Sequence, residues 1–172
     1  PVALDLAQMR SVVEREGGCI VWGGGMRLAP VDDVLIQVER PLDFDSDGQL
    51  VASVLAKKLA AGSTHVVIDL PIGPTAKLRS TADAESLGQR LSVVGSRFGV
   101  QIRLIQSDGT QPVGRGIGPA AEARDVLAVL KNHVQAPVDL RLRAIELAGA
   151  VLELGHAVAP GRGNALAAEL LD

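Results

Sequence analysis

Ser53 and Lys57 stand four residues apart in "ASVLAKKLAAG", a spacing that puts both side chains on one face of a helix. A hydroxyl beside an ammonium could hold the oxygen edge of a polar ligand. The spacing also has a structural reading, which it favours when taken alone. Lys57 and Lys58 near a helix C-terminus suit its dipole, and a mid-helix Ser53 can bond its own backbone. Lys77 closes "PIGPTAK", a turn beyond a buried strand, where a cation either holds an anionic substrate or is solvated. His65, His133 and His156 fall on different elements without metal-ligand spacing, so no zinc site is expected. Cys19 sits among apolar residues and reads as a buried small hydrophobe rather than a nucleophile. No Ser-His-Asp arrangement can be justified.

A glycine-rich turn, "SDGTQPVGRGIGPAAEARD" from Ser107 to Asp125, is the other stretch with chemistry to weigh. A Walker-type phosphate loop needs Lys and then Ser or Thr after its last glycine, and here Arg115 and Gly116 follow Gly114. The dinucleotide fingerprint needs G-x-G-x-x-G, whereas Gly114, Gly116 and Gly118 are spaced G-x-G-x-G. A helix amino terminus still attracts anions through free N–H groups. Pro119 removes one such donor, and Glu122 places a carboxylate in the first turn. The composition favours a structural turn.

The elements that would position these residues follow from caps and apolar patterning. Asp5 caps a helix carrying Met9, Val12 and Val13 and closed near Gly17-Gly18. "CIVW" reads as a strand stopped by Gly23-Gly24-Gly25, and "VLIQVE", Val34 to Glu39, as another. Ser46 with Gln49 has capping-box spacing for a helix running to Ala61-Gly62. "THVVIDL" is a buried strand, and Ser80 or Thr81 opens a helix ending near Gly99. "VQIRLIQ" is the next strand, with Pro119 at the first position of the following helix. From Pro137 the chain is helical with a break at Pro160 to Gly163.

Alternating strands and helices predict an α/β domain over 1–172, three layers α/β/α around a largely parallel, mixed sheet. Ligands of such sheets gather beyond the carboxyl ends of the strands. Arg40-Pro41, Pro71 to Lys77 and Ser107 to Gly118 are therefore expected to be neighbours.

The totals narrow the classes. Of 172 residues 47% are hydrophobic and 22% charged, a folded rather than disordered profile. With two Phe, one Trp and no Tyr, the core must be aliphatic, and platforms for stacking single strands are missing. A net charge of −3 argues against nucleic-acid or anionic-membrane partners. One cysteine gives no disulfide framework, so a reducing cytoplasm is the expected compartment. No apolar run reaches the roughly 18–20 residues of a membrane span, and no signal peptide is seen.

Three stretches in order, "GGCIVWGGGMRLAPVDD", "LVASVLAKKLAAGSTHVVIDLPIGPTAK" and "DGTQPVGRGIGPAAEARD", resemble the pyrimidine nucleoside phosphorylase family, which includes the thymidine phosphorylases. "IVWGG" and "DLPIGPTAK" are similar to its longer branch, with the nucleoside monophosphate (AMP) phosphorylases. The resemblance implies a nucleoside phosphorylase-type α/β catalytic domain beside a smaller helical one, commonly a homodimer. It implies a pentosyltransferase that splits thymidine or a related pyrimidine nucleoside with inorganic phosphate into base and sugar 1-phosphate, without cofactor or metal. The expected partners are that nucleoside or nucleotide and phosphate.

By the same resemblance, Ser53 and Lys57 fall on the family's base-binding serine and lysine, and Arg40 near its base-binding arginine. Arg40 and Lys57 are the implied catalytic cations. The family's arginine is usually followed by Asp, whereas Pro41 follows here, so the register could also fall on Glu39. Lys77 is the candidate for a 5′-phosphate if the chain acts as an AMP phosphorylase. A non-catalytic α/β ligand-binding or oligomerisation domain is the other alternative. The family holds phosphate in a Lys-His-Ser-rich loop, which these residues lack, so Ser107 to Asp125 is expected to be scaffold at the cleft. With Pro1 as first residue, the chain is expected to be the central part of a longer catalytic domain, inactive alone.

Overall fold

The structure is a computed structural model that describes residues 3–22, 29–42 and 46–172, with the side chains of Arg40 and Leu42 left out. The chain forms two compact units, Pro1–Ser63 and Thr64–Asp172.

The first unit is helical in its described part. Helix α1 spans Leu6–Glu16, opened by a reciprocal capping box between Asp5 and Gln8 and closed by Gly17 in the left-handed conformation. Helix α2 spans Pro30–Leu42 and helix α3 spans Asp47–Ala60. The Ser46 hydroxyl caps α3 by accepting the N–H of Gln49 at 3.2 Å. Val51 and Leu55, four apart on α3, are buried.

Two expected strands are corrected here. "VLIQVE" lies inside α2. Extending the window to Val31 shows why: Val31, Val34, Leu35 and Val38 follow the i, i+3, i+4, i+7 period of a helix. Pro30 at the first helical position and Asp32 and Asp33 in the first turn complete a helix start. "CIVW" forms no strand either, because an extended segment needs a partner and no described residue pairs with it. The Gly23-Gly24-Gly25 stop lies outside the described residues. Cys19 is exposed, not buried, since among the described residues none packs over the segment around it.

The second unit is α/β. Strand β1, His65–Ile72, and strand β2, Gln101–Asp108, pair in parallel from His65↔Gln101 to Ile72↔Asp108. Helix α4, Thr81–Arg97, connects them, capped by Ser80. Helices α5 (Pro119–Leu130), α6 (Val138–Leu154) and α7 (Gly163–Leu171) follow.

Side chains alternate between the two faces of the sheet. Val66, Ile68 and Leu70 on β1 are buried on one face with Leu87 and Leu91 of α4, and Gly88 of that helix faces Leu70 and Leu104. The odd-numbered face meets α6: Arg143 holds Asp69 and Arg103 holds Glu153, each with a 2.9 Å contact. The sheet is thus covered on both sides, the three-layer arrangement that parallel strands require. Helices α6 and α7 approach so closely that a Cβ on Gly149 would lie 2.6 Å from the backbone nitrogen of Asn164.

Candidate active site

In the first unit, one buried carboxylate gathers a whole stripe of α3. Gln49, Ser53 and Lys57 recur every four residues, so their side chains emerge along one side of that helix. Asp32, in the first turn of α2, meets all three. Its Oδ2 accepts the Ser53 hydroxyl at 3.0 Å and the Lys57 ammonium, and its Oδ1 accepts the Gln49 amide at 3.4 Å. Lys57 also lies 3.5 Å from the Ser53 Oγ, too far for a strong bond.

Burial divides the cluster into an anchor and an open end. Asp32 is 6% exposed, while the Lys57 side chain is 39% exposed. Burial pushes the Asp32 carboxyl up, but hydrogen bonds from Lys57 and Ser53 and the Lys57 charge outweigh it. The group ends below its ordinary value and is a carboxylate at neutral pH.

The chemistry left over can be counted. A serine hydroxyl has one proton and two lone pairs, and the Ser53 proton is given to Asp32. Ser53 therefore offers a ligand acceptor capacity only. An ammonium has three N–H donors, so Lys57 keeps donors after binding Asp32. An acceptor beside a cationic donor suits a ligand edge where an N–H adjoins a carbonyl oxygen. An apolar hollow of about 220 Å³ lies alongside, lined by Ala29, Pro30, Val31, Leu35, Ala52 and Ala56 together with Asp32 and Gln49.

Of the residues named from sequence, Ser53 and Lys57 meet directly. Ser53 bonds Asp32 rather than its own backbone. The Arg40 backbone lies in α2, but its side chain is outside the described residues. Because α2 is a helix, Arg40-Pro41 does not follow a strand end, which removes the ground for grouping it with the two loops. Asp32 has no place among the residues named from sequence, and Gln49 is named there only for its capping spacing with Ser46. Asp32 stands inside "LAPVDD", and a helix assignment for residues 30–42 would have put it in a first turn.

In the second unit, the two loops beyond the strands do meet. Pro71 near the end of β1 and Thr75 and Ala76 beyond it, with Asp108 closing β2 and Gly109 to Val113 after it, line a cavity of about 370 Å³. The Gly109 N–H bonds the Ile72 carbonyl at 2.8 Å and ties the loops together. Arg143 reaches the same cavity and holds both oxygens of Asp69, at 3.1 and 2.9 Å. Asp108 accepts the Thr110 N–H at 2.9 Å, which lowers its carboxyl, and the Arg143 charge adds to the effect. Lys77 follows in the turn and is exposed.

The glycine-rich turn is closed by the chain's own carboxylates. Asp125 Oδ2 accepts the N–H groups of Arg115 and Gly116, both at 2.7 Å. Asp139 takes the Gly114 N–H at 2.9 Å and Glu122 the Gly118 N–H at 3.0 Å. Positive φ angles of 84° at Gly114 and 96° at Gly118 make the turn possible. Four of the amides that could have faced a phosphate are occupied, and three carboxylates would repel one. This supports the scaffold reading.

No protein-family model matches the chain. Individual proteins do. "Putative thymidine phosphorylase 1" of Acidovorax sp. (strain JS42) is 68% identical over 171 residues, 99% of this chain and 34% of the relative. The "Putative thymidine phosphorylase" of Polaromonas sp. (strain JS666 / ATCC BAA-500) is 63% identical with the same coverage. That of Hahella chejuensis (strain KCTC 2396) is 60% identical over 172 residues. Over its full length the chain is homologous to proteins that carry the thymidine phosphorylase name. It spans about a third of their length.

Proposed function

We propose that this chain carries the base-binding part of a pentosyltransferase acting on thymidine or a related pyrimidine nucleoside. The observation that carries the reading is the pairing of Ser53 and Lys57 on Asp32, a ready acceptor beside a ready cation. The imide edge of thymine or uracil has the complementary pattern, an N–H next to a carbonyl oxygen. Homology to thymidine phosphorylase-named proteins supports the same choice.

In the proposed reaction a phosphate oxygen forms a bond to the sugar C1′ as the bond from C1′ to the ring nitrogen breaks. The bonding pair leaves with the base, whose carbonyl oxygens gain negative charge, and the base then takes up a proton. Lys57 stabilises that charge more than the neutral substrate, which is what lowers a barrier. Arg40 is the second cation of the proposal, and the reaction calls for no cofactor beyond phosphate as co-substrate.

The test is phosphate-dependent base release by the protein at the full length of its relatives, with thymidine, uridine and AMP offered in parallel. Release from thymidine or uridine and not AMP is expected. Release from AMP alone would transfer the assignment to a nucleoside monophosphate phosphorylase. Release from none would leave a binding module.

A further inference from the structure

Lysine and serine side chains are poor instruments unless something fixes them. Lys57 has a flexible four-carbon stem, and the Ser53 hydroxyl rotates freely unless a partner chooses its direction. A single atom, Asp32 Oδ2, is the acceptor for both. We propose that Asp32 is a positioning residue for the base site: it sets the direction of the Ser53 proton and the place of the Lys57 ammonium. The inference rests on the phosphorolysis reading above and adds a residue that touches no reacting atom.

Three observations carry it. Asp32 is buried although its neighbours on α2, Val31 and Val34, are well exposed, so α2 turns its carboxylate inward and leaves apolar side chains outside. Such an arrangement is costly as a stability device, because an apolar residue would pack as well without desolvation. Among the described residues, every hydrogen bond to the carboxylate comes from the Gln49–Ser53–Lys57 stripe, and Gln49 holds the second oxygen and so fixes its plane. Among the described residues the ion pair is open at Lys57, where a ligand can reach the ammonium without reaching the carboxylate. Both bonded donors cover Oδ2, which shields a departing anionic base from the negative charge.

The chemistry gives Asp32 a signature distinct from folding. An asparagine in its place keeps the shape, but its amide can donate to Ser53 and turn that hydroxyl outward, and it loses its charge-assisted hold on Lys57. In the full-length protein, Asp32→Asn should lower kcat for thymidine phosphorolysis by about 10- to 100-fold, the scale of a displaced catalytic group. The KM for phosphate should stay within about twofold, since Asp32 does not meet that substrate. Loss of fold would lower kcat through the folded fraction, so the variant's circular-dichroism melt should match that of the wild type. In a Lys57→Ala background the same change should cost less than about threefold, because residues that act through one another are not additive. Should Asp32→Asn alone not fold, Asp32→Glu, which keeps the charge but moves the carboxylate by one methylene, is taken through the same cycle with Lys57→Ala. Equal losses in both backgrounds, or an unchanged kcat, would overturn the positioning role while leaving the phosphorolysis reading intact. A wild-type protein that releases no base from any nucleoside would overturn both together.

Discussion

Lys57 reaches its place by two constraints of different range. Its spacing from Ser53 is local and visible in the chain, whereas its contact with Asp32 spans 25 residues. If Lys57 faces the departing base, Lys57→Ala in the full-length protein should lower kcat/KM by about 100-fold, the usual effect of removing one donor aimed at developing charge. Steady-state kinetics with thymidine would check this, and an unchanged value would take Lys57 out of the site. Lys77 belongs to a separate question. If it meets the sugar end of a nucleotide, Lys77→Ala should weaken AMP turnover far more than thymidine turnover. Equal losses would return it to a solvated role. Ser53 and Lys57 were legible because a helix brings i and i+4 together regardless of the rest. Asp32 was not, because a carboxylate's partners across a long separation depend on which elements surround it.

Most elements could be read because their ends are chemical events. Asp5, Ser46, Ser80 and Pro119 mark helix starts through caps or a fixed φ, and each does so in the structure. The strands β1 and β2 were visible as apolar runs flanked by helices. Val34 to Glu39 misled because six residues with four apolar positions fit either period, and only the wider window to Val31 separates helix from strand. The crossing of α6 and α7 offers a quantitative test. Alanine at Gly149 would gain up to about 1 kcal/mol of helix propensity. Its methyl would also press on the Asn164 backbone, and overpacking of that kind costs about 1–3 kcal/mol. Gly149→Ala is therefore expected to lower the urea midpoint at unchanged slope, measured by circular dichroism.

Across the molecule, carboxylates hold parts that apolar packing does not. Asp32, Asp108, Asp139 and Glu153 all titrate below their ordinary values in the folded chain. For Asp108 and Asp139 the leading cause is a backbone N–H, and for Glu153 it is the Arg103 guanidinium. A lowered folded value means that the unfolded chain binds protons first as the solution is acidified. The associated stability is complete above about pH 5 and fades as pH falls below about 4 and through the folded values. Urea midpoints at a series of pH values should show that decline, and a midpoint independent of pH down to 3 would contradict it. The α/β class was legible from element order alone. The division into two units was not, since it depends on which contacts are dense and which are sparse.

The glycine-rich turn has a consequence for hydrogen isotope exchange. Exposed loops usually swap their amide protons with solvent quickly, and glycine-rich ones fastest. Here the amides of Gly114, Arg115, Gly116 and Gly118 are each held by a side-chain carboxylate. An amide exchanges only when its bond opens, so these four should persist in D₂O far longer than their surface position suggests. Acid should release the Gly114 amide before the strands let go, because Asp139 loses its grip once protonated. A loop whose sequence promises slackness would then behave, in the deuterium label, like part of the frame.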